Sequence, residues 1–311
     1  FGRSANDARA ESAALYQRLL DRVYPERIYN KRQSYRDKWW IFAEPRPAMR
    51  LALSGLSRYI ATPYTAKFRP FVFIDAAVLP DAMAYAIASD NPAILGVLSS
   101  RIHVTWALAA GGRLGVGNDP RYTSSNTFFP FPFPTVGVSS SSEMSAIAEQ
   151  LDAHRKRQQA AHPELTLTGM YNVLANLKSG EALSTKEKLI HDHGLVSVLK
   201  QLHDELDLAV LAAYGWDDLS PLMQAVNGNA PPPEGRRRDD AMRELDEVLL
   251  ERLVALNAER AAEEARGLVR WLRPEFQNPG THLPAQAEID TSSDEPEDAP
   301  AMAPVARAPW P

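Results

Sequence analysis

The sequence predicts an α+β chain: a mixed α/β front, then an all-α helical region, then a disordered acidic tail. Three observations carry this. Short runs rich in β-branched and aromatic residues lie at 58–62 and 71–74, too short for anything but strands. The string FFPFPFP at 128–134 fits neither regular helix nor a central strand, and after it Leu, Ala and Val recur at i, i+3 and i+4 beneath charged faces. From residue 280 onward six acidic residues and one Arg sit in a tail rich in Pro, Ala and Ser, whose apolar content cannot offset its ordering entropy. The boundaries that follow are 1–134, 135–279 and 280–311.

Taken in order, residues 7–23 place Ala8, Leu15, Leu19 and Val23 at helical spacing, and Tyr24-Pro25 ends that helix. Cations and rings interleave from Lys31 to Trp40 (KRQSYRDKWW), ahead of Pro45 and Pro47. The two strand runs come next. Residues 81–89 fit a short helix or another strand. Residues 93–110 read as one apolar helix stopped by Gly111-Gly112, and a glycine-rich loop runs on to Tyr122. Beyond 134, helices are expected over 142–160, 185–214 and 239–265, joined by loops holding Gly180 and Pro231-Pro232-Pro233.

The composition removes several chemistries. The 311 residues contain no cysteine, which excludes disulfides, thiolate metal sites, iron–sulfur clusters and a cysteine nucleophile, and is compatible with a cytoplasmic location. No apolar run approaches the ~18–20 residues that span a bilayer, so no membrane partner is expected. The first residue is Phe and not Met, from which the chain is expected to begin inside a longer protein. The net charge of −5 hides an asymmetry: residues 1–70 hold 14 Lys/Arg against 6 Asp/Glu, and residues 1–134 hold 17 against 10.

Two features have nucleic-acid chemistry. The loop GGRLGVGNDPRY (111–122) offers Arg113, Asn118, Asp119 and Arg121, whose donors and acceptors match base edges, although a plain surface loop with a turn at Asn118-Asp119-Pro120 has the same composition. It fits neither the P-loop nor the dinucleotide-binding pattern. The basic, aromatic front (Arg27, Lys31, Arg32, Arg36 and Lys38 with Tyr29, Tyr35, Trp39 and Trp40, then Arg58, Lys67 and Arg69) is what a phosphate-gripping surface uses. Cations lying over a half-buried ring cluster would read identically. His191-x-His193 has metal-binding spacing but lacks an evident third ligand, so no metal site is expected. His103, between Ile102 and Val104, has the setting of a structural histidine. No nucleophile elbow, His-Glu-x-x-His helix or kinase signature occurs, so no catalytic residue is assigned.

Longer strings resemble the C-terminal portion of large class I S-adenosylmethionine-dependent DNA methyltransferases, the group that includes MmeI-like restriction-modification enzymes. They are ALYQRLLDRVYPER (14–27), KWWIFAEPRP (38–47), LSRYIATPYTAKFRPFVF (56–73), LGVLSSRIHVTWALAAGGRLGVGNDPRYTSS (95–125), FPFP (131–134), LHDELDLAVLAAYGW (202–216) and LLERLVALNAERAAEEARGLVRWLRPEFQ (249–277). The resemblance implies that residues 1–134 are a target recognition domain and 135–279 a C-terminal helical domain. It further implies a double-stranded DNA partner and an upstream methyltransferase domain of the same chain, which would bind S-adenosylmethionine. The implied activity is adenine-N6 methylation in restriction-modification or phage defence. The catalytic Asn/Asp-Pro-Pro-Tyr string does not occur here: Asn91-Pro92-Ala93-Ile94 lacks the second Pro and the Tyr, and Pro231-Pro232-Pro233 is followed by Glu234.

On that resemblance Arg113, Asn118, Asp119 and Arg121, with Tyr122 beside them, are the expected base-reading segment. Arg58, Thr62, Thr65, Lys67, Arg69, Ser100, Arg101 and His103 are the expected phosphate or supporting contacts. Gly115 and Gly117 stand where related loops carry further side chains. The alternative reading is a non-catalytic helical module whose charged helices at 185–214 and 239–265 bind a protein partner.

Overall fold

The computed structural model describes residues 3–42, 44–114, 119–134, 142–232 and 237–281. Four short helices open the chain, α1 (Ala5–Glu11), α2 (Ala13–Arg22), α3 (Tyr24–Arg27) and α4 (Gln33–Asp37), and α5 (Pro47–Leu53) leads into a sheet. The helix expected over 7–23 is thus broken. Ser12 takes extended backbone and its hydroxyl accepts from the Leu15 N–H, so it ends one helix and caps the next.

The sheet contains β1 (Arg58–Pro63), β2 (Val72–Asp75) and β3 (Ala84–Ile87) in the order β2-β1-β3, all antiparallel. Ile60 stands opposite both Phe73 and Ile87, which fixes the register. The ambiguous segment at 81–89 is therefore a strand. Tyr59, Ile60, Ala61 and Thr62 are all buried, so the central strand is covered on both faces and its run of apolar residues does not alternate with polar ones.

Next come α6 (Pro92–Ser99) and α7 (Arg101–Ala110), which meet at 61° where a single helix was expected. Ser100 makes the corner: its backbone is extended, its hydroxyl donates to the Val97 carbonyl at 2.7 Å, and it caps α7. The glycine segment contains two short antiparallel strands, β4 (Arg113–Leu114) and β5 (Asp119–Pro120).

The helical region comprises α8 (Ser142–Ala161), α9 (Leu167–Ser179), α10 (Thr185–Gly194), α11 (Val196–Tyr214), α12 (Ser220–Val226) and α13 (Arg238–Ala265). The helix expected over 185–214 breaks at Leu195, which takes the left-handed conformation (φ +44°). Helices α9 and α12 were not foreseen. No single helix among the described residues is long and apolar enough to cross a membrane.

One apolar core runs through both sides of Pro134. Val97, Ile102, Trp106 and Phe131 pack in the same cluster as Met144, Leu151, Leu199, Leu206, Leu245 and Leu249. Each such side chain contributes about 1.5–3 kcal/mol on burial. Residues up to Val269 accordingly form one compact unit, and the expected division at 134/135 does not separate two cores. At Gly96 helix α6 lies close against α8 and α11: a Cβ there would lie 3.1 Å from Met144 and 3.2 Å from Leu206.

Helix α8 also closes the free edge of β2. Asp152 accepts from the Phe73 N–H (3.2 Å), Lys156 donates to the Phe73 carbonyl (2.7 Å), and the fully buried Arg155 donates to the Phe71 carbonyl (2.8 Å). Side chains thus stand in for a fourth strand, which satisfies the edge and removes it as a template for further pairing.

The second unit, from Arg270, contains α14 (Pro274–Gln277) and a 3-10 turn at Pro279–Thr281, with the Arg273 guanidinium 4.8 Å from the Phe276 ring centre. The tail expected to be disordered lies, beyond 281, outside the described residues.

Candidate functional site

The hairpin of β4 and β5 is held at its root by backbone pairing and by one arginine. The Arg121 N–H donates to the Gly112 carbonyl (2.9 Å), and the Tyr122 N–H donates to the Tyr64 carbonyl (2.9 Å). Thr65 bridges to Arg121 across the backbone. Arg69 donates to the carbonyls of both Pro63 and Pro120, the latter at 2.7 Å, tying the end of β1 to the returning arm of the hairpin. Desolvation in this half-buried position holds the Arg69 pKa below its ordinary value. Gly111 is required for close approach: a Cβ would lie 2.5 Å from the Ala107 carbonyl oxygen and 2.6 Å from that of Arg121.

Beneath the hairpin lies a stack of rings. The Arg121 guanidinium sits 4.9 Å from the Tyr64 ring centre, Tyr64 stacks on Tyr85 at 5.8 Å, and Tyr85 meets Tyr122 edge-on at 6.1 Å. Tyr122 in turn contacts Phe71 and His103, and His103 contacts Phe131 at 4.3 Å. The line of rings therefore couples the arginine at the hairpin root to the core shared with the helices. The sequence reading missed Tyr64 and Tyr85. Their signal was an aromatic residue just after the β1 run and another within β3.

The thirteen residues expected at a nucleic-acid surface divide into groups. Arg113 and Asp119 are exposed on β4 and β5, and the Arg113 guanidinium makes no hydrogen bond or ion pair among the described residues. Arg121 is half-buried on Tyr64, with Thr65 beside it. Lys67 is exposed and donates to Asn172 at 2.6 Å. Asn118, with Gly115 and Gly117, lies outside the described residues.

The remaining seven are buried or engaged within the fold, the setting of supporting residues. Tyr122, Thr62, Ser100 and His103 are buried. The Tyr122 hydroxyl and His103 Nε2 are 3.0 Å apart, and burial raises the tyrosine pKa while pushing the histidine down to about 3, so both stay neutral. Arg58 is paired with both carboxylate oxygens of Glu149 and lies 3.7 Å over Phe73; the hydrogen bond to Glu149 raises its pKa. Arg69 is held as described above. The Arg101 guanidinium pairs with Asp246 at 2.9 Å, and the Arg101 backbone N–H donates to the buried Asp207 at 2.7 Å.

The basic, aromatic front is also largely self-engaged. Trp39 packs against Tyr16, Tyr24 and Trp40, with ring centres 5.0–6.0 Å apart. Arg27 donates to the Ile41 carbonyl, Arg36 to the Asn30 carbonyl, and Arg32 lies 5.3 Å from the Tyr35 ring. These cations hold a local ring cluster together. Lys31 and Lys38 remain exposed, and their ammonium groups have no hydrogen-bond or ion-pair partner among the described residues.

The family described as MmeI, target recognition domain, matches residues 7–135. That segment is an MmeI-like target recognition domain. The hairpin, its ring stack and the three-stranded sheet all fall within the matched residues, so they are the recognition domain's own architecture. A solved structure described as the type IIL restriction-modification enzyme MmeI in complex with DNA matches at 21% identity and a TM-score of 0.47. That match covers 80% of this chain, which spans 28% of the chain it resembles. No curated protein matches.

Proposed function

We propose that the β4–β5 hairpin is the base-reading element of a site-specific DNA methyltransferase in a restriction-modification or defence system. Support comes from the family match over 7–135 together with the geometry of the hairpin. Arg113 and Asp119 project from a two-stranded ribbon, a shape the major groove admits, while the ribbon's root is clamped by Arg69, Gly111 and Tyr122. Readers on a clamped root lose little freedom on docking, which favours discrimination between bases.

In this reading Arg113 and Arg121 are candidates to fork onto guanine O6 and N7, Asn118 onto adenine, and Asp119 accepts from a cytosine amino group. Lys67, beside Thr65, supplies a phosphate contact, which sets register without carrying sequence information. The methyl group would come from S-adenosylmethionine bound by an upstream domain. The target would be the exocyclic N6 of an adenine extruded from the stack. The part played by this chain is to choose the site.

The test uses the complete enzyme with its cofactor, mapping modified adenines in a host that expresses it. Arg113→Ala and Arg121→Ala should each relax discrimination at one base pair, by about 1–3 kcal/mol, whereas Lys67→Ala should weaken all sequences alike and flatten the salt dependence. Uniform loss in all three variants refutes the assignment of the hairpin as the reader.

A further inference from the structure

Folding gives His193 two donors, His162 and Glu164, in place of the His191 of the His-x-His pair. His162 follows the last residue of α8, Glu164 lies two residues on in the turn to α9, and His193 lies in the last turn of α10. His193 Nδ1 is 2.8 Å from Glu164 Oε1, and His162 Nδ1 is 3.7 Å from the same oxygen. The two imidazole rings stack with centres 4.0 Å apart. One donor atom from each of the three residues lies within 4.8 Å of the others. His191, the other half of the His-x-His pair, is not part of the group: its ring nitrogens contact Asp192 at 3.0 Å and Ser197 at 2.9 Å.

We propose that His162, Glu164 and His193 bind one divalent transition-metal ion of the zinc class. Two imidazoles and a carboxylate are a donor set such ions take, with bonds of about 2.0–2.2 Å and hence donor separations of roughly 3.4 Å in a tetrahedral shell. The two histidine-to-carboxylate separations, 2.8 and 3.7 Å, bracket that value, and closing the shell takes a rotation of the stacked imidazoles that brings both ring planes onto one point, in side chains that are at least partly exposed. Two helix C-termini meet here, those of α8 and α10, and the partial negative charge of each favours a cation.

Both sides of the group are pre-positioned. On the α8 side, Leu165 is buried, its N–H donates to the His162 carbonyl (2.9 Å) and its carbonyl accepts from Gln159 (3.2 Å), which fixes the turn carrying His162 and Glu164. On the α10 side, His154 is 3.0 Å from the Gly194 carbonyl, and the left-handed Leu195 follows at once. The ion clips the α8–α9 turn to the end of α10, and solvent completes its shell. Its role is structural and independent of the hairpin.

The experiment titrates the chelator-stripped 311-residue chain with zinc by calorimetry and follows cobalt(II) by visible absorption. One equivalent should bind, with a melting temperature raised by about 5 °C at a hundredfold excess over Kd. The doubly substituted His162→Ala, His193→Ala chain should bind at least about 100-fold more weakly, Glu164→Gln about 10-fold more weakly, and His191→Ala as the parent does. Far-UV circular dichroism checks that the double variant keeps its helices, and Glu164→Gln gives a readout that does not depend on it. The absence of a saturable equivalent, an unchanged isotherm in the double variant, or an equal loss in His191→Ala overturns the proposal.

Discussion

Arg69 separates a structural clamp from a phosphate contact, and its removal tests the architecture of the hairpin. In the fold its guanidinium donates to the Pro63 and Pro120 carbonyls and lies 5.3 Å from the centre of the Tyr122 ring. Hydrogen bonds from a charged donor are each worth about 1.5–3 kcal/mol, and desolvation of the arginine offsets part of this. Arg69→Ala should therefore destabilise the compact unit by about 2–4 kcal/mol, read as a lower urea midpoint at constant m-value. Arg69→Lys should recover less than half, because an ammonium cannot fork to two separated carbonyls. Amide exchange at Arg121 and Tyr122, whose N–H groups close the hairpin root, should accelerate in the alanine variant. A phosphate contact predicts the opposite pattern, with unchanged stability and a shallower salt dependence of DNA binding. A stability loss below about 0.5 kcal/mol with unchanged exchange would refute the clamp.

Further outcomes follow from the same contacts. Arg155→Leu should cost about 1–3 kcal/mol in chemical denaturation, since it orphans the buried Phe71 carbonyl, while Asp152 keeps its ion pair with Lys156. Burial lowers the folded-state pKa of His103 to about 3, so the unfolded chain binds the extra proton first. Its contribution is complete above about pH 6.5 and is lost as the pH falls towards 3, amounting to about 2 kcal/mol by pH 5. His103→Gln should flatten the stability-versus-pH curve between 7 and 5 by that amount, measured as the difference in urea midpoints. Gly111→Ala should cost about 1–3 kcal/mol, because both atoms its Cβ would meet are backbone oxygens that cannot rotate away, and thermal melting would show it.

The fold class was legible because periodicity reports burial: the strand runs at 58–62 and 71–74 and the helices over 142–160 and 239–265 appear close to where they were expected. The breaks inside longer runs were not legible. Ser12 and Ser100 sit within unbroken helical patterns and interrupt them, because each hydroxyl offers the chain a cap that competes with helix continuation. Leu195 has no turn chemistry at all. Its left-handed backbone is imposed by packing, with Gly194 and Val196 both buried on either side. Helix α9 begins at the Thr166 cap and ends at the left-handed Gly180, signals present in the sequence but not weighed as a helix.

For the site, residue type indicated chemistry but not availability. Arg58, Arg69, Arg101, Arg113 and Arg121 are equivalent in composition, yet the partners that occupy the first three come from 6 to 145 positions away: Pro63 for Arg69, Glu149 for Arg58, Asp246 for Arg101. Two of these partners lie in the helical region, so those arginines join the recognition segment to the helices. The charge excess of the first 70 residues is likewise partly engaged within the fold, where Arg27, Arg36, Arg58 and Arg69 each meet an internal carbonyl or carboxylate. Arg69 thus clamps the root beneath Arg113 and Asp119, while Arg58 and Arg101 anchor the same segment to the helices.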